Sequence, residues 1–153
     1  MNTSTDRIER QIHIKAPRSK VWRVLADAES FGNWFGVALK GKRFVAGEPC
    51  EGNITYPGYE HLLWQVVVER VEPERLLSFR WHPYAIDTEH DYSKEPLTLV
   101  QFELEETGDG TLLRLVESGF DKIPPERRMD AFRMNSKGWD AQMVNIDNYV
   151  AAH

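Results

Sequence analysis

The chain has little cysteine: Cys50 is the single one among 153 residues. A lone thiol closes no disulfide within the chain and cannot supply the ligand set of an iron–sulfur cluster. No stretch approaches the roughly 18 consecutive apolar residues that a membrane-spanning helix needs. The opening "MNTSTDRIERQ" also lacks the apolar run of a secretion signal. These absences predict a protein of the reducing cytoplasm, with no membrane span. Cations are scarce as well, 19 Lys and Arg against 24 Asp and Glu, and they are dispersed. A net charge of -5 is a poor match for nucleic acid, whose phosphates demand clustered positive charge.

Several motifs are missing too. No G-x-G-x-x-G follows a strand to hold a dinucleotide, no G-x-S-x-G presents a serine nucleophile, and there is no internal repeat. His61, His82, His90 and Asp91 do not share the spacing that would hold a tetrahedral ion on a rigid element. Neither a metal nor a cofactor is expected.

What is present is an ordinary globular balance, 41% hydrophobic and 28% charged. The length suits one domain with a continuous core, spanning 1–153 with residues 1–6 expected to form a loose tail. "RIERQIHIKA" puts Ile8, Arg10, Ile12 and Ile14 in one register, the period of a half-buried strand. Pro17 then opens a helix carrying Val21, Val24, Leu25 and Ala28, and "ESFGNWFG" makes a second short helix that ends at Gly36. Strands are predicted around 37–45, 51–56, 61–71, 75–82, 97–106 and 111–118, joined by turn residues as an antiparallel meander. Residues 82–96 form a long, polar, unpatterned loop of the kind that is usually functional or mobile. The last 30 residues carry Phe132, Trp139, Met143, Ile146 and Val150 at helical spacing, behind Pro124 and Pro125. Asn135, Ser136 and Gly138 interrupt this stripe with a small, polar notch.

A one-sided sheet needs a cover, and only the C-terminal helix is long enough to provide it. Phe79, Trp81 and Phe102 on strand faces and Trp139 on the helix would then meet across the interior. Singly each is ordinary core. Together with Trp64 and with Trp34, Phe35 and Phe120 at expected rim positions, they predict a gap lined by aromatic rings with the notch beside it.

The order of a strand, a Pro-started helix with Val21-Trp22, "NWFG", "VEPERLLSFRW", "GDGTLLRLVESGF" and a closing helix with "GW" resembles the START-like superfamily. Within it, the chain is similar to bacterial single-domain proteins related to the C-terminal domain of the activator of heat shock protein 90 ATPase. The resemblance runs from about residue 8 to 150. It implies an α+β helix-grip fold: a curved antiparallel sheet of six to seven strands around a long C-terminal helix, two short helices after the first strand, and an enclosed apolar cavity. Where relatives often carry His, this chain has Glu117, at the cavity end of a strand.

A carboxyl on an apolar face has its ionised form disfavoured and could act as general acid or base, as some cavity enzymes of the cyclase or hydrolase type require. The favoured alternative is a strand-end Glu paired with Arg or bonded to the helix. Glu117 is therefore a weak catalytic candidate. The expected function is binding of a small apolar molecule, aromatic or lipid-like, contacted by the aromatic residues above and oriented by Glu117 and Asn135. The resemblance adds an alternative, a co-chaperone-like domain with a chaperone or other protein partner.

Overall fold

A computed structural model describes residues 6–153, so most of the expected N-terminal tail lies outside the described residues. Six strands form one antiparallel sheet: β1 (Arg7–Ile14), β2 (Pro49–Asn53), β3 (Leu63–Glu72), β4 (Leu76–Trp81), β5 (Thr98–Thr107) and β6 (Gly110–Ser118). Their spatial order is β1-β6-β5-β4-β3-β2, so β2 to β6 run as a meander and β1 closes the far edge against β6. Helices α1 (Arg18–Ala26) and α2 (Ala28–Phe35) follow β1, and α3 (Pro125–Ala152) ends the chain. The predicted helix-grip class is the observed one.

Alternation decides which face is inward. Trp64, Val66 and Val68 on β3, Leu77 and Phe79 on β4, Val100, Phe102 and Leu104 on β5, and Leu113 and Leu115 on β6 are all buried. On α3 the stripe Trp139, Met143, Ile146 and Val150 is buried against them. Arg10, in the inward register of β1, is kept at the sheet edge by a 2.6 Å ion pair from its Nε to Asp140 on α3. A register shift between Val68 and Arg70 bulges β3, a device that bends a strand and strengthens its twist. Gly36 ends α2 at φ 99°, where a Cβ would also meet the Tyr56 ring at 2.4 Å. Only glycine fits there.

One predicted strand is absent. Residues 37–45 make a single bridge, Val37 to Ile54, and then turn through Gly41 at φ 78°. Val37, Leu39 and Phe44 are nevertheless buried. Their apolar spacing comes from packing into the core, where Phe44 meets Phe31 edge-on at 5.3 Å, and burial alone produces the pattern of a strand.

The interior gap expected between the sheet and α3 is closed at its centre. Phe31 of α2 fills it, with ring centroids 4.6 Å from Trp34, 5.1 Å from Phe35, 5.5 Å from Trp64, 6.0 Å from Phe79 and 6.2 Å from Phe102. Trp139 of α3 stacks on Trp81 at 5.8 Å and meets Phe102 edge-on at 5.8 Å. These are aromatic contact distances. The open space lies at one end of the sheet instead.

Candidate functional site

That space is a cleft of about 540 Å3 between the ends of β3 and β4, the loop after β4, the end of α2 and the middle of α3. Its size falls in the usual range for small-molecule sites. Phe35, Trp64 and Trp81 form aromatic walls, with Leu62, Tyr84, Ile86 and Tyr92 nearer the mouth. A smaller recess of about 110 Å3 shares Phe35, Trp81 and Asn135 and continues to Gly138, Trp139 and Gln142. Gly138 leaves this recess open: a Cβ built there meets nothing within 4 Å. The notch legible in the sequence therefore borders real space.

The expected site residues separate into groups. Phe35, Trp64, Trp81 and Asn135 line the cleft, and Trp139 lines the recess. Phe79 and Phe102 are fully buried in the central cluster and line neither space, because Phe31 occupies the gap they were expected to border. Trp34 is not at a rim: it is 4% exposed, and its indole N–H donates to the Val24 carbonyl at 2.9 Å. Phe120 is likewise fully buried, packed edge-on against Phe132 at 5.2 Å. Both serve to fasten helices.

Glu117 is fully buried on the inward face of β6. Among the described residues no cation reaches it. Its Oε2 accepts from the Trp81 indole at 2.7 Å and the Thr98 hydroxyl at 2.6 Å, and its Oε1 from the Trp139 indole at 2.8 Å. The Asn135 amide donates to both oxygens, at 3.0 and 3.2 Å. Four neutral donors from β4, β5 and α3 thus converge on one carboxyl. Burial pushes that carboxyl above its ordinary value of 4.5, and the bonds from Thr98, Trp81, Trp139 and Asn135 pull it back. Two indoles and an amide NH2 can only donate, so Thr98 is the one partner able to accept a proton from Glu117.

This arrangement sets the role of Glu117. It lines neither space, and Trp81 and Asn135, which do, are bonded to it. Its hydrogen bonds tie the cleft floor together across the sheet and α3. Of the two readings of the sequence, hydrogen bonding to the helix is the observed one, and no Arg takes part.

The loop after β4 is held by residues that sequence reasoning missed. Arg127, in the first turn of α3, donates to Glu95 at 2.8 Å and to the Pro83 carbonyl at 2.8 Å, and its guanidinium lies 4.7 Å from the Tyr92 ring centroid. Glu95 also pairs with His90 at 2.6 Å. His82 reaches the Glu95 carbonyl at 3.2 Å. His82 and His90, two of the three histidines considered for a metal, are thus engaged in fastening the cleft wall. Among the described residues no group of three or more His, Cys, Asp or Glu side chains is placed to hold a metal, and no helix is long and apolar enough to cross a membrane. An unpaired polar Arg at the start of an amphipathic helix carries no signal for such a clamp until the loop is folded beside it.

Solved structures share this architecture. A protein from Mesorhizobium loti superposes with a TM-score of 0.72 at 22% identity, covering 95% of this chain and 97% of that one. One from Arthrobacter aurescens reaches 0.77 at 14% identity, covering 99% and 91%. One from Nitrosomonas europaea reaches 0.73 at 16%, covering 99% and 97%. At these identities the likeness shows the fold. No curated protein matches the chain by sequence. The family model described as Activator of Hsp90 ATPase homolog 1-like protein matches residues 15–151. With nearly the whole of the described fold inside that match, the chain belongs to the Activator of Hsp90 ATPase homolog 1-like family.

Proposed function

We propose that this chain binds a small, largely apolar molecule, aromatic or lipid-like, in the cleft between β3, β4, α3 and the loop after β4. The observation that carries the reading is a space of about 540 Å3 walled by Phe35, Trp64 and Trp81 and left unfilled by the protein's own side chains. Apolar walls supply affinity by removing ligand surface from water, at roughly 25 cal/mol per Å2. Trp81 and Asn135 are preorganised by Glu117, so little ordering cost falls on binding. The free, buried Cys50 suits a reducing cytoplasm.

The test uses N-phenyl-1-naphthylamine, a neutral probe that brightens in apolar sites. Saturable fluorescence with one site per chain, accompanied by a rise in melting temperature, is the expected result. Ile86 lines the cleft and is 45% exposed, so Ile86→Glu can disturb the mouth without disturbing the core. That variant should bind the probe more weakly. A response that never saturates, or that is the same in Ile86→Glu, would overturn the reading.

A further inference from the structure

The floor of the cleft has a polarity, and it narrows the class of ligand. Asn135 points its amide nitrogen at Glu117, 3.0 and 3.2 Å from the two carboxyl oxygens. The reversed amide would set Oδ1 against two oxygens that already accept from Trp81, Thr98 and Trp139, so the ionised carboxyl favours the orientation with the NH2 toward it. Asn135 Oδ1 has no protein donor and is not among the sealed polar atoms. That leaves it available to the space that Asn135 lines. The Trp81 and Trp139 indole N–H groups are consumed by Glu117, and the Gln142 amide N–H by the Phe35 carbonyl.

The rest of the lining carries no permanent cation to pair with an anion. Among the described residues no Lys or Arg borders the cleft or the recess. At the mouth stands Asp91, whose carboxyl is held below its ordinary range by bonds from the Ser93 side chain and backbone. His90, beside it, is occupied by Glu95 at 2.6 Å.

We infer that the cleft selects a neutral aromatic molecule carrying a hydroxyl or N–H donor, which it gives to Asn135 Oδ1, and rejects the corresponding carboxylate. This inference rests on the ligand-binding reading above and adds the polarity of the ligand to it. Glu117 enters as the positioning residue: its acceptor oxygens turn the Asn135 amide so that an acceptor, not a donor, faces the guest.

The experiment is calorimetric titration of the full chain with three probes of one ring system: 2-naphthol, 2-methoxynaphthalene and 2-naphthoate. A single neutral hydrogen bond to a largely desolvated group is worth about tenfold in affinity. The expected order is naphthol about tenfold tighter than methoxynaphthalene, with naphthoate weakest. In Asn135→Leu the naphthol-to-methoxynaphthalene ratio should fall to about one. Should that variant not fold, the order in the unaltered chain decides alone. Equal affinity for naphthol and methoxynaphthalene, or naphthoate binding most tightly, overturns the inference and leaves ligand binding standing. Binding of none of the three overturns both.

Discussion

Replacing Glu117 by Gln changes one oxygen to an NH2 and little else, which makes the consequence calculable from the contacts. The new NH2 must occupy either the Oε1 place, facing the Trp139 indole, or the Oε2 place, facing the Trp81 indole. Thr98 could turn its hydroxyl to accept, but an indole N–H cannot. In both orientations one buried indole loses its acceptor, and Asn135 loses one of its two. An orphaned buried donor costs about 1–3 kcal/mol. For a domain of this length that lowers the melting temperature by roughly 2–12 °C. The appropriate assay is a denaturant or thermal melt of both proteins at several pH values, because the comparison carries a sign. The Glu117 carboxyl is raised by burial above 4.5. Its contribution to stability is therefore complete below the unfolded value and is lost as pH rises through the folded one. Gln does not titrate, so the deficit of Glu117→Gln should be largest near pH 4.5 and shrink as pH climbs past the raised value. Equal or greater stability of Glu117→Gln at acid pH would refute the view that two acceptor oxygens hold the floor together.

Three further outcomes follow from neighbouring residues. Gly138→Ala meets no atom within 4 Å and sits in mid-helix, so it should raise stability by about 0.5–1 kcal/mol in a urea melt while narrowing the small recess. Cys50 is 5% exposed and its thiol is pushed up by burial, so a thiol reagent should label it only after unfolding. Labelling at the rate of a free thiol in the native protein would contradict that placement. Arg127→Ala removes the donor to Glu95 and Pro83 and the cation over Tyr92; amide exchange in residues 82–96 should accelerate while β5 and β6 keep their protection.

Most of the sheet was legible because one face is buried: Trp64, Val66 and Val68, or Leu113, Leu115 and Glu117, repeat at a period of two, and only an extended strand does that. The α3 stripe was legible for the same reason at helical period. Residues 37–45 misled because Val37 and Leu39 alternate to fill a hole, and periodicity records burial without recording a pairing partner. Phe31 went unnoticed as the centre of the core since nothing in "ESFGNWFG" ranks it above Trp34 or Phe35. Its position displaced the cavity from the middle of the sheet to one end and removed Phe79 and Phe102 from the lining. Glu117 could be singled out as a carboxyl on an apolar face, and Asn135 and Trp139 as neighbours on α3. Thr98 could not, because its approach to Glu117 depends on the register that sets Leu99 opposite Ser118. Contacts across the sheet are visible only once strands are paired.

On the proposed function, the end cleft, and not the filled core, is the place where this protein holds an apolar guest. A crystal structure of the full chain grown with 2-naphthol tests it directly. Electron density for the ring against Phe35, Trp64 and Trp81, with its oxygen within hydrogen-bond distance of Asn135 Oδ1, is the predicted result. A cleft that stays empty at saturating probe, or density seated elsewhere on the molecule, would contradict it.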